Sequence, residues 1–348
     1  MNEMTSKILS FYRAHARDLP WRKHVTPYQT LVSEIMLQQT RVDTVIPYYE
    51  RFLSVLPDFS SLAKISEDEL LKLWEGLGYY RRAKLLKRCA EVVMNEYNGK
   101  LPESMEELRK LPGIGAYTAA AIASISMGIP ALAMDGNVER VFTRVFALEG
   151  DPKEKSVSNQ LVHKISPLIP EDATSDFTQG LMEIGATICL PNGFPLCEQC
   201  PLQQDCIAHL QHRELDFPQK KEKPKPVDSS YWVALVKIHG KVWVRKRPEE
   251  GLLASMWELP NVAYEDGKDG LNQLVSRTFP NAVLESSEKG IVQHVFTHRR
   301  WNMHVVEYHI QSLELPSSEM FLDEISGHPS IPLPTAFSKI LKRFHDSL

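Results

Sequence analysis

Four cysteines gathered in one short segment constrain this 348-residue chain more than any other feature. Their spacing is Cys189-x7-Cys197-x2-Cys200-x5-Cys206, while the fifth cysteine, Cys89, stands alone and is expected to be an inert, packed thiol. Thiols grouped so closely in an intracellular chain ligate a metal or a cluster far more often than they form disulfides. Structural zinc usually takes two short Cys-x-x-Cys knuckles, whereas this segment has one knuckle between two wider gaps. The spacing therefore favours a [4Fe–4S] cluster held by four thiolates, with zinc or no metal as alternatives.

The composition excludes several classes of protein without indicating a partner. Hydrophobic residues make up 43% of the chain and charged residues 24%, which excludes a fibrous or wholly disordered protein. Lys+Arg 40 against Asp+Glu 44 gives a formal net charge of −4, so overall basicity offers no nucleic-acid signal.

Neither the N-terminus nor the longest uncharged stretch indicates secretion or a membrane. Residues 1–21 carry Lys7, Arg13 and Arg17 without an intervening apolar core. The stretch 111–134 has no charge, but prolines and glycines near both ends leave a helix shorter than the roughly 20 residues that span a bilayer. We therefore expect a soluble, intracellular protein.

Hydrophobic periodicity divides the chain into two parts. Segments such as 138–145 place apolar residues at helical spacing, and this pattern dominates the first 210 residues. Residues 231–238 and 241–245 are instead β-branched and aromatic runs, separated by the hairpin signal His239-Gly240. A charged, proline-rich stretch lies between the helical part and the β-rich part of the chain. The sequence predicts a helical domain over 1–210 with a cysteine loop at 189–206, a linker over 211–229, and an α+β domain over 230–348.

A Gly-x-Gly turn, Leu111-Pro112-Gly113-Ile114-Gly115, precedes a helix of small residues. Gly113 and Gly115 permit a tight turn while Ile114 is expected to plug it into the core. The backbone N–H groups at such a helix start can hold a phosphate oxygen, although an ordinary helix connection would look the same. Nearby, Tyr79 and Tyr80 precede a basic run at 81–88 that contains no acid; this run favours a nucleic-acid contact or is simply a solvated helix face.

Two carboxylates stand in unusual settings. Glu34 lies within the apolar segment 31–37, where burial would raise its pKa and allow it to act as a general acid, unless it occupies a wet helix face. Asp135 precedes an amphipathic helix, where it could be an N-cap or could face a developing cation. One acid and one anion together are typical of glycoside cleavage through an oxocarbenium-like transition state.

Taken together, these motifs resemble the adenine DNA glycosylase (MutY) family of the helix–hairpin–helix superfamily, which also includes endonuclease III. The resemblance covers nearly the whole chain and is carried by residues 18–22, 33–40, 74–80, 111–115, 135–138 and 185–186. It implies a mostly α helix–hairpin–helix glycosylase domain with a [4Fe–4S] loop, followed by an α+β, Nudix-like domain. It also implies an enzyme that flips adenine out of duplex DNA when the base opposite is 8-oxoguanine or guanine, and excises it.

The resemblance assigns roles to the residues around the two carboxylates. Glu34 would protonate N7 of adenine, and Asp135 would stabilise the oxocarbenium ion, with Tyr117 and Asn137 nearby. Relatives that also nick the backbone carry a lysine where this chain has Tyr117. The resemblance therefore implies a monofunctional, hydrolytic glycosylase.

Further residues are implied in binding. Trp21, Arg22 and Gln179 would line the pocket for the flipped base. Others would contact or wedge into the duplex, or face the lesion: Gln39, Thr40, Leu77, Tyr79, Gly113, Ile114 and Gly115. The four cysteines would hold a cluster with a structural and DNA-binding role.

The C-terminal domain resembles a Nudix domain through residues 251–260, but no Arg-Glu-x-x-Glu-Glu helix for Mg²⁺ follows. This domain is therefore expected to bind rather than hydrolyse. Phe296-Thr297-His298 aligns with the family's Phe-Ser-His loop that recognises 8-oxoguanine, with Thr297 in place of serine; a simple strand-end turn is the alternative. The first cysteine gap of seven residues exceeds the family's usual six, which predicts a one-residue bulge.

The implied setting is a monomer acting on mispaired duplex DNA at the bacterial nucleoid, in the cytoplasm. Three other functions stay open at this point. They are a bifunctional glycosylase/lyase acting on oxidised pyrimidines, a non-enzymatic iron–sulfur DNA-binding module, and a Nudix hydrolase.

Overall fold

The structure is a computed structural model that describes residues 2–219, 226–280, 282–311, 320–323 and 331–344. The chain forms two compact units, one comprising 1–64 and 84–222, the other 65–83 and 223–348. Most of the linker's basic residues fall within 220–225, outside the described residues. No helix in the described part of the chain combines the length and the apolar character needed to cross a bilayer.

The first unit is helical. Its helices are α1 (Glu3–His15), α2 (Pro20–Lys23), α3 (Pro27–Leu37), α4 (Val42–Val55), α5 (Phe59–Lys64), α8 (Met105–Lys110), α9 (Ala116–Ser126), α10 (Gly136–Val145), α11 (Lys155–Ile165), α12 (Thr174–Thr187) and α13 (Ile207–Leu210). Helix α6 (Glu67–Leu73) belongs to the second unit, and α7 (Arg81–Glu96) crosses the boundary between the two.

Local sequence explains where these helices begin. Thr26 caps α3 by accepting a hydrogen bond from the Gln29 N–H, and Pro27 occupies the first turn, where its missing N–H costs nothing. Asp135 caps α10 in the same way, accepting from the Asn137 and Val138 N–H groups. The structure thus confirms the N-cap interpretation of Asp135.

Close packing around α12 depends on two glycines. A Cβ on Gly180 would lie 2.9 Å from Ile8 Cγ2 of α1, and a Cβ on Gly185 would lie 2.4 Å from Asn137 Cβ of α10. Both distances are below van der Waals contact, so only glycine lets α1 and α10 approach this closely. These contacts fix the start of α10 against α12.

The second unit is a mixed sheet with a helix on each face. Its elements are β1 (Val227–Ile238), β2 (Lys241–Lys246), β3 (Trp257–Glu258), β4 (Asn261–Ala263), α14 (Gly267–Thr278), β5 (Val283–Val295), β6 (Arg299–Gln311), β7 (Met320–Asp323) and α15 (Thr335–Phe344). The strand order is β3-β2-β1-β6-β5, with β4 beside β1 and β7 beside β2; β1 and β6 are parallel and the other pairs antiparallel. Alternating residues of β1 and β6 bury one face under α15 and the other under α14. A helical unit and an α+β unit were both predicted, and the fold class is confirmed.

Two predicted local features are also confirmed. His239 and Gly240 both have positive φ, and Ile238 pairs with Lys241, so the two residues form the hairpin turn between β1 and β2. Cys89 is 1% exposed, and burial raises the pKa of its thiol to about 12, which keeps it protonated and inert.

Candidate active site

The first unit contains a cavity of about 360 Å³, a size suited to a small ligand. Helices α2, α3, α9, α10 and α12 each contribute side chains to its walls. Nine residues singled out from the sequence line it: Trp21, Arg22, Glu34, Gln39, Thr40, Tyr117, Asp135, Asn137 and Gln179. Folding therefore brings together residues that lie far apart in the sequence, from Trp21 to Gln179.

Glu34 is buried, with 6% of its surface exposed, so it does not occupy a wet helix face. Burial raises its pKa to about 7; the hydrogen bond from Tyr117 opposes this shift, and the charge of Asp135 adds to it. The Tyr117 hydroxyl donates to Glu34 Oε2 at 2.5 Å. Burial also holds the pKa of Tyr117 well above its usual value, so the phenol keeps its proton and remains a donor. Near neutral pH, a substantial fraction of Glu34 is the neutral acid.

Asp135 faces the same cavity from the start of α10. Its Oδ1 accepts from the Asn137 N–H at 2.9 Å and the Val138 N–H at 2.7 Å, and its Oδ2 accepts from Asn137 Nδ2 at 2.8 Å. Burial raises the pKa of Asp135 above its usual value, although these hydrogen bonds counteract the shift. The cavity thus holds two carboxyl groups in different environments, an arrangement suited to one acid and one anion.

Arg140, which sequence reasoning missed, connects the cavity to the cysteine loop. Its Nη2 donates to Asn137 Oδ1 at 2.9 Å and to the Gly185 carbonyl at 2.7 Å, and its Nε donates to the Cys189 carbonyl at 2.7 Å. The guanidinium therefore orients the Asn137 amide that binds Asp135. An arginine on the inner side of an amphipathic helix was the available signal, but two of its partners, the carbonyls of Gly185 and Cys189, lie more than 40 positions away.

Glu183 is a second residue that the sequence did not reveal. Its fully buried carboxylate accepts from Arg17 Nε at 2.7 Å and from Arg22 Nη2 at 2.7 Å. Arg22 also donates from Nε to Gln179 Oε1 at 3.1 Å. These two arginines hold the pKa of Glu183 below its usual value against the effect of burial. Glu183 thus fixes Arg22 and, through it, Gln179 in the cavity wall.

The four clustered cysteines line one small cavity with Arg144, His209 and Glu214. Arg144 Nη1 donates to Cys189 Sγ at 3.2 Å, and Cys197 Sγ lies 3.8 Å from Glu214 Oε1. Burial raises the pKa of Cys197 to about 11 and that of Cys200 to about 12, so thiolates there require a bound cation to balance their charge. Four convergent thiols beside a guanidinium fit a metal–thiolate centre.

The Gly-x-Gly turn has the predicted form. Gly113 has a φ of 78°, and a Cβ there would lie 2.9 Å from Leu85 Cβ, so the position requires glycine. Ile114 is 5% exposed and plugs the turn into the core, and Gly115 is the N-cap residue of α9.

The basic run at 81–88 is only partly available to a ligand. Arg82 is buried and donates from Nη2 to the Leu77 and Gly78 carbonyls, and Lys87 Nζ donates to the Ala63 carbonyl. Arg81 and Arg88 are exposed. The segment is therefore not a continuous basic surface, and it is not a fully solvated helix face either.

In the second unit, the hydroxyl groups of Tyr79 and Thr297 are hydrogen-bonded. Tyr79 has a φ of 49° and is 44% exposed, whereas Leu77 is buried. The Phe296 N–H donates to the Arg299 carbonyl at 2.7 Å, so Thr297 and His298 form the tip of a tight turn between β5 and β6. The structure therefore brings together two separately predicted binding segments.

Comparisons with known proteins agree with this organisation. A model of the HhH-GPD superfamily of base excision DNA repair proteins matches residues 32–167, and a model of the NUDIX domain matches residues 231–343. The chain also resembles a solved structure described as a thermostable thymine-DNA glycosylase, with a TM-score of 0.54 and 33% identity over 60% of this chain and 95% of that one.

Two curated relatives extend the similarity across both units. An adenine DNA glycosylase from Buchnera aphidicola subsp. Schizaphis graminum is 38% identical over 255 residues, covering 73% of this chain and 73% of its own length. An adenine DNA glycosylase from Rattus norvegicus is 35% identical over 365 residues, covering 88% of this chain and 70% of its own length. On this evidence the chain belongs to the adenine DNA glycosylase family.

Proposed function

We propose that this protein is a DNA N-glycosylase that excises adenine from duplex DNA during base excision repair, by hydrolysis and without cutting the backbone. The observation that carries the proposal is the buried Glu34 carboxyl, which shares one cavity with Asp135 and accepts a hydrogen bond from Tyr117. Membership of the family supports the choice of adenine. A base must leave the helix stack to reach such a cavity.

The chemistry follows from the two carboxyl environments. Neutral Glu34 gives its proton to adenine N7, and the C1′–N9 bond breaks with its electron pair moving to the departing base. The Asp135 carboxylate stabilises the oxocarbenium ion left on the sugar. Water then adds to C1′ and gives a proton to the Glu34 carboxylate, which leaves an abasic site and restores the acid.

Tyr117 makes a lyase step unfavourable. Its hydroxyl donates to Glu34, and burial keeps it protonated, so it offers no amine that could form a Schiff base with the sugar. The product is therefore an intact strand with an abasic site.

The base opposite the excised adenine would be recognised by the second unit. We assign this role to the turn Phe296-Thr297-His298 together with Tyr79, because the Tyr79 and Thr297 hydroxyls are hydrogen-bonded and both side chains are exposed. The preferred partners of adenine would be 8-oxoguanine and then guanine. Helix α14 carries a single acidic residue, Asp269, so this helix does not have the set of carboxylates with which a Nudix hydrolase binds its metal.

Backbone contacts complete the DNA interface. Gly113, Ile114 and Gly115 would present N–H groups to a phosphate, while Gln39 and Thr40 would contact the duplex near the flipped base. Leu77 is buried, so we assign it no direct contact with the duplex. The enzyme would act as a monomer on nucleoid DNA in the bacterial cytoplasm.

The four cysteines would hold a [4Fe–4S] cluster. When bound, the cluster would supply a covalent crosslink that ties the 189–206 loop to itself and a charge that balances the thiolates. Through Arg140, the same loop supports Asn137 and Asp135. Purified protein should be yellow-brown, with broad absorption near roughly 400 nm, and substitution Cys197→Ser should remove this absorption. Colourless protein containing zinc would contradict the assignment.

The function is tested by product analysis on a duplex with one 8-oxoguanine:adenine pair. Free adenine should appear, and the strand should break only after alkali treatment. Borohydride should trap no covalent protein–DNA adduct. Release of an oxidised pyrimidine with a trapped adduct would instead support a bifunctional glycosylase, and binding without base release would support a DNA-binding module.

A further inference from the structure

A buried carboxylate in the second unit binds two arginines, one near the end of β2 and one just after that strand. Glu258 of β3 is 2% exposed, and its Oε1 accepts from Arg245 Nε of β2 at 2.8 Å. Its Oε2 accepts from Arg247 Nη1 and, at 2.9 Å, from Asn261 Nδ2. Charge-assisted bonds to one buried anion hold both guanidinium groups in place.

The two arginines differ in what else they contact. Arg245 Nη2 donates to the Asn261 carbonyl at 2.8 Å. Arg247 Nε donates to the Leu252 carbonyl at 3.1 Å, and its guanidinium lies 5.7 Å from the centre of the Trp301 ring. Of the pair, Arg247 therefore makes a cation–π contact that Arg245 lacks.

Trp301 is held by ring contacts. Its side chain is 4% exposed, and its indole N–H has no hydrogen-bond partner among the described residues. Its ring centre lies 4.9 Å from that of Phe296, 5.1 Å from Tyr231 and 6.1 Å from Phe337. With no hydrogen bond to orient the indole, packing and the guanidinium of Arg247 set its position.

Phe296 begins the turn that projects Thr297 and His298. Its ring meets Trp301 edge-on, and the centre of the His294 ring, near the end of β5, lies 4.5 Å from its own. A contiguous chain of contacts thus runs from Glu258 through Arg247 and Trp301 to this turn.

We propose that Arg247 is a positioning residue for recognition of the base opposite adenine: it fixes the Trp301 ring, and Trp301 fixes Phe296 and the turn at 296–298. The proposal rests on the function proposed for that turn. Arg247 acts through Trp301, so its loss should change discrimination between opposite bases without changing the excision chemistry in the other unit.

The test uses the full-length protein and single-turnover adenine excision from two duplexes, one with 8-oxoguanine and one with guanine opposite adenine. The measured quantity is the ratio of the two rates. Arg247→Gln should lower this ratio by about threefold or more with the guanine:adenine rate unchanged, since about threefold is the effect expected from losing one of the weaker cation–π contacts. Arg247→Lys, which keeps the cation, should retain most of the ratio. Arg245→Gln is the matched control, because it removes a Glu258 partner that does not contact Trp301, and should leave the ratio unchanged.

The guanine:adenine rate reports whether each variant is folded, and a double-mutant cycle tests whether Arg247 acts through Trp301. Trp301→Leu, which removes the aromatic ring, should also lower the ratio, and combining it with Arg247→Gln should lower it no further, because Arg247 acts through that ring. Additive losses, or equal losses in Arg245→Gln and Arg247→Gln, would overturn the positioning role. An unchanged ratio in Arg247→Gln would overturn it as well. Equal wild-type rates on the two duplexes would instead refute recognition by the turn itself, and the proposal with it.

Discussion

The Tyr117 hydroxyl donates a 2.5 Å hydrogen bond to a Glu34 carboxyl whose pKa lies near 7. Tyrosine here has two consequences. It offers a phenol and no amine that could attack the sugar, and it stabilises the ionised form of the acid, which limits how far burial can raise the pKa of Glu34. The acid is thereby held close to physiological pH, where it transfers a proton most effectively.

The rate of adenine excision should depend on pH as a bell. Glu34 must be protonated, so the rate falls as pH rises through a pKa of about 7. Asp135 must be ionised, so the rate falls at low pH, at a point above the usual range of an aspartate because burial raises its pKa. Tyr117→Phe removes the bond that favours the Glu34 carboxylate and should shift the basic limb to higher pH. Single-turnover rates across the pH range measure both limbs. If the basic limb did not shift in Tyr117→Phe, a group other than Glu34 would be responsible for that limb.

Glu34→Gln should stabilise the fold at alkaline pH while abolishing excision. The pKa of Glu34 is raised on folding, so the folded state binds more protons than the unfolded state between about pH 4.5 and 7, and stability falls as pH rises through that window. A shift of this size corresponds to about 3 kcal/mol. In urea unfolding, the free energy of unfolding of the variant should therefore exceed that of wild type at about pH 8, and the two should differ little at about pH 4.5. The same difference at both pH values would show that Glu34 does not titrate in this way.

Gly185→Ala should impair catalysis through Asn137. The new Cβ would lie 2.4 Å from Asn137 Cβ, and displacing Asn137 would break its bond to Asp135 Oδ2. We expect excision to fall by about tenfold or more and stability by about 2 kcal/mol.

Gly180→Ala on the same helix is the matched control. The new Cβ would lie 2.9 Å from Ile8 Cγ2, so the variant should lose about as much stability as Gly185→Ala. The excision rate of the folded enzyme should stay near the wild-type value. Equal rate losses in the two variants would show that crowding of α12, rather than Asn137, controls the rate.

Glu183→Gln should weaken both the fold and the adenine pocket. It leaves Arg17 and Arg22 without their buried counter-charge, at a cost of about 2–3 kcal/mol, and releases Arg22 from its orientation beside Gln179. Asp176→Asn breaks the exposed pair with Arg13 and should cost at most about 1 kcal/mol. Thermal unfolding of the two variants gives the comparison. Equal destabilisation would mean that the buried Glu183 pairs contribute no more to stability than the exposed Asp176–Arg13 pair.

Several features could be predicted from the sequence because their cause is local. The change from helical periodicity to β-branched and aromatic runs predicted the two structural classes. The apolar neighbours of Glu34 left burial and a wet helix face as its two interpretations, and the structure shows burial. Gly113 and Ile114 were predictable because a tight turn before a helix requires these residue types. The family resemblance added the grouping of Glu34, Tyr117 and Asp135, which are far apart in the sequence.

Other features could not be predicted because the partners are distant in sequence. Glu183 meets Arg17 and Arg22 across more than 160 positions, and Arg140 reaches Cys189 across 49. The basic run at 81–88 looked uniform, yet Arg82 turns inward to backbone carbonyls. Charge alone does not distinguish an arginine that faces solvent from one that satisfies buried acceptors.

The account's central claim is that buried, protonated Glu34 gives adenine the proton that makes it a leaving group. Single-turnover release of free adenine from an 8-oxoguanine:adenine duplex, compared between wild type and Glu34→Gln, tests it most directly. Glutamine fits the same cavity and can still accept the Tyr117 hydrogen bond but has no proton to donate, so base release should fall by at least about a hundredfold while the duplex is still bound. Release of adenine by Glu34→Gln at the wild-type rate would contradict the claim.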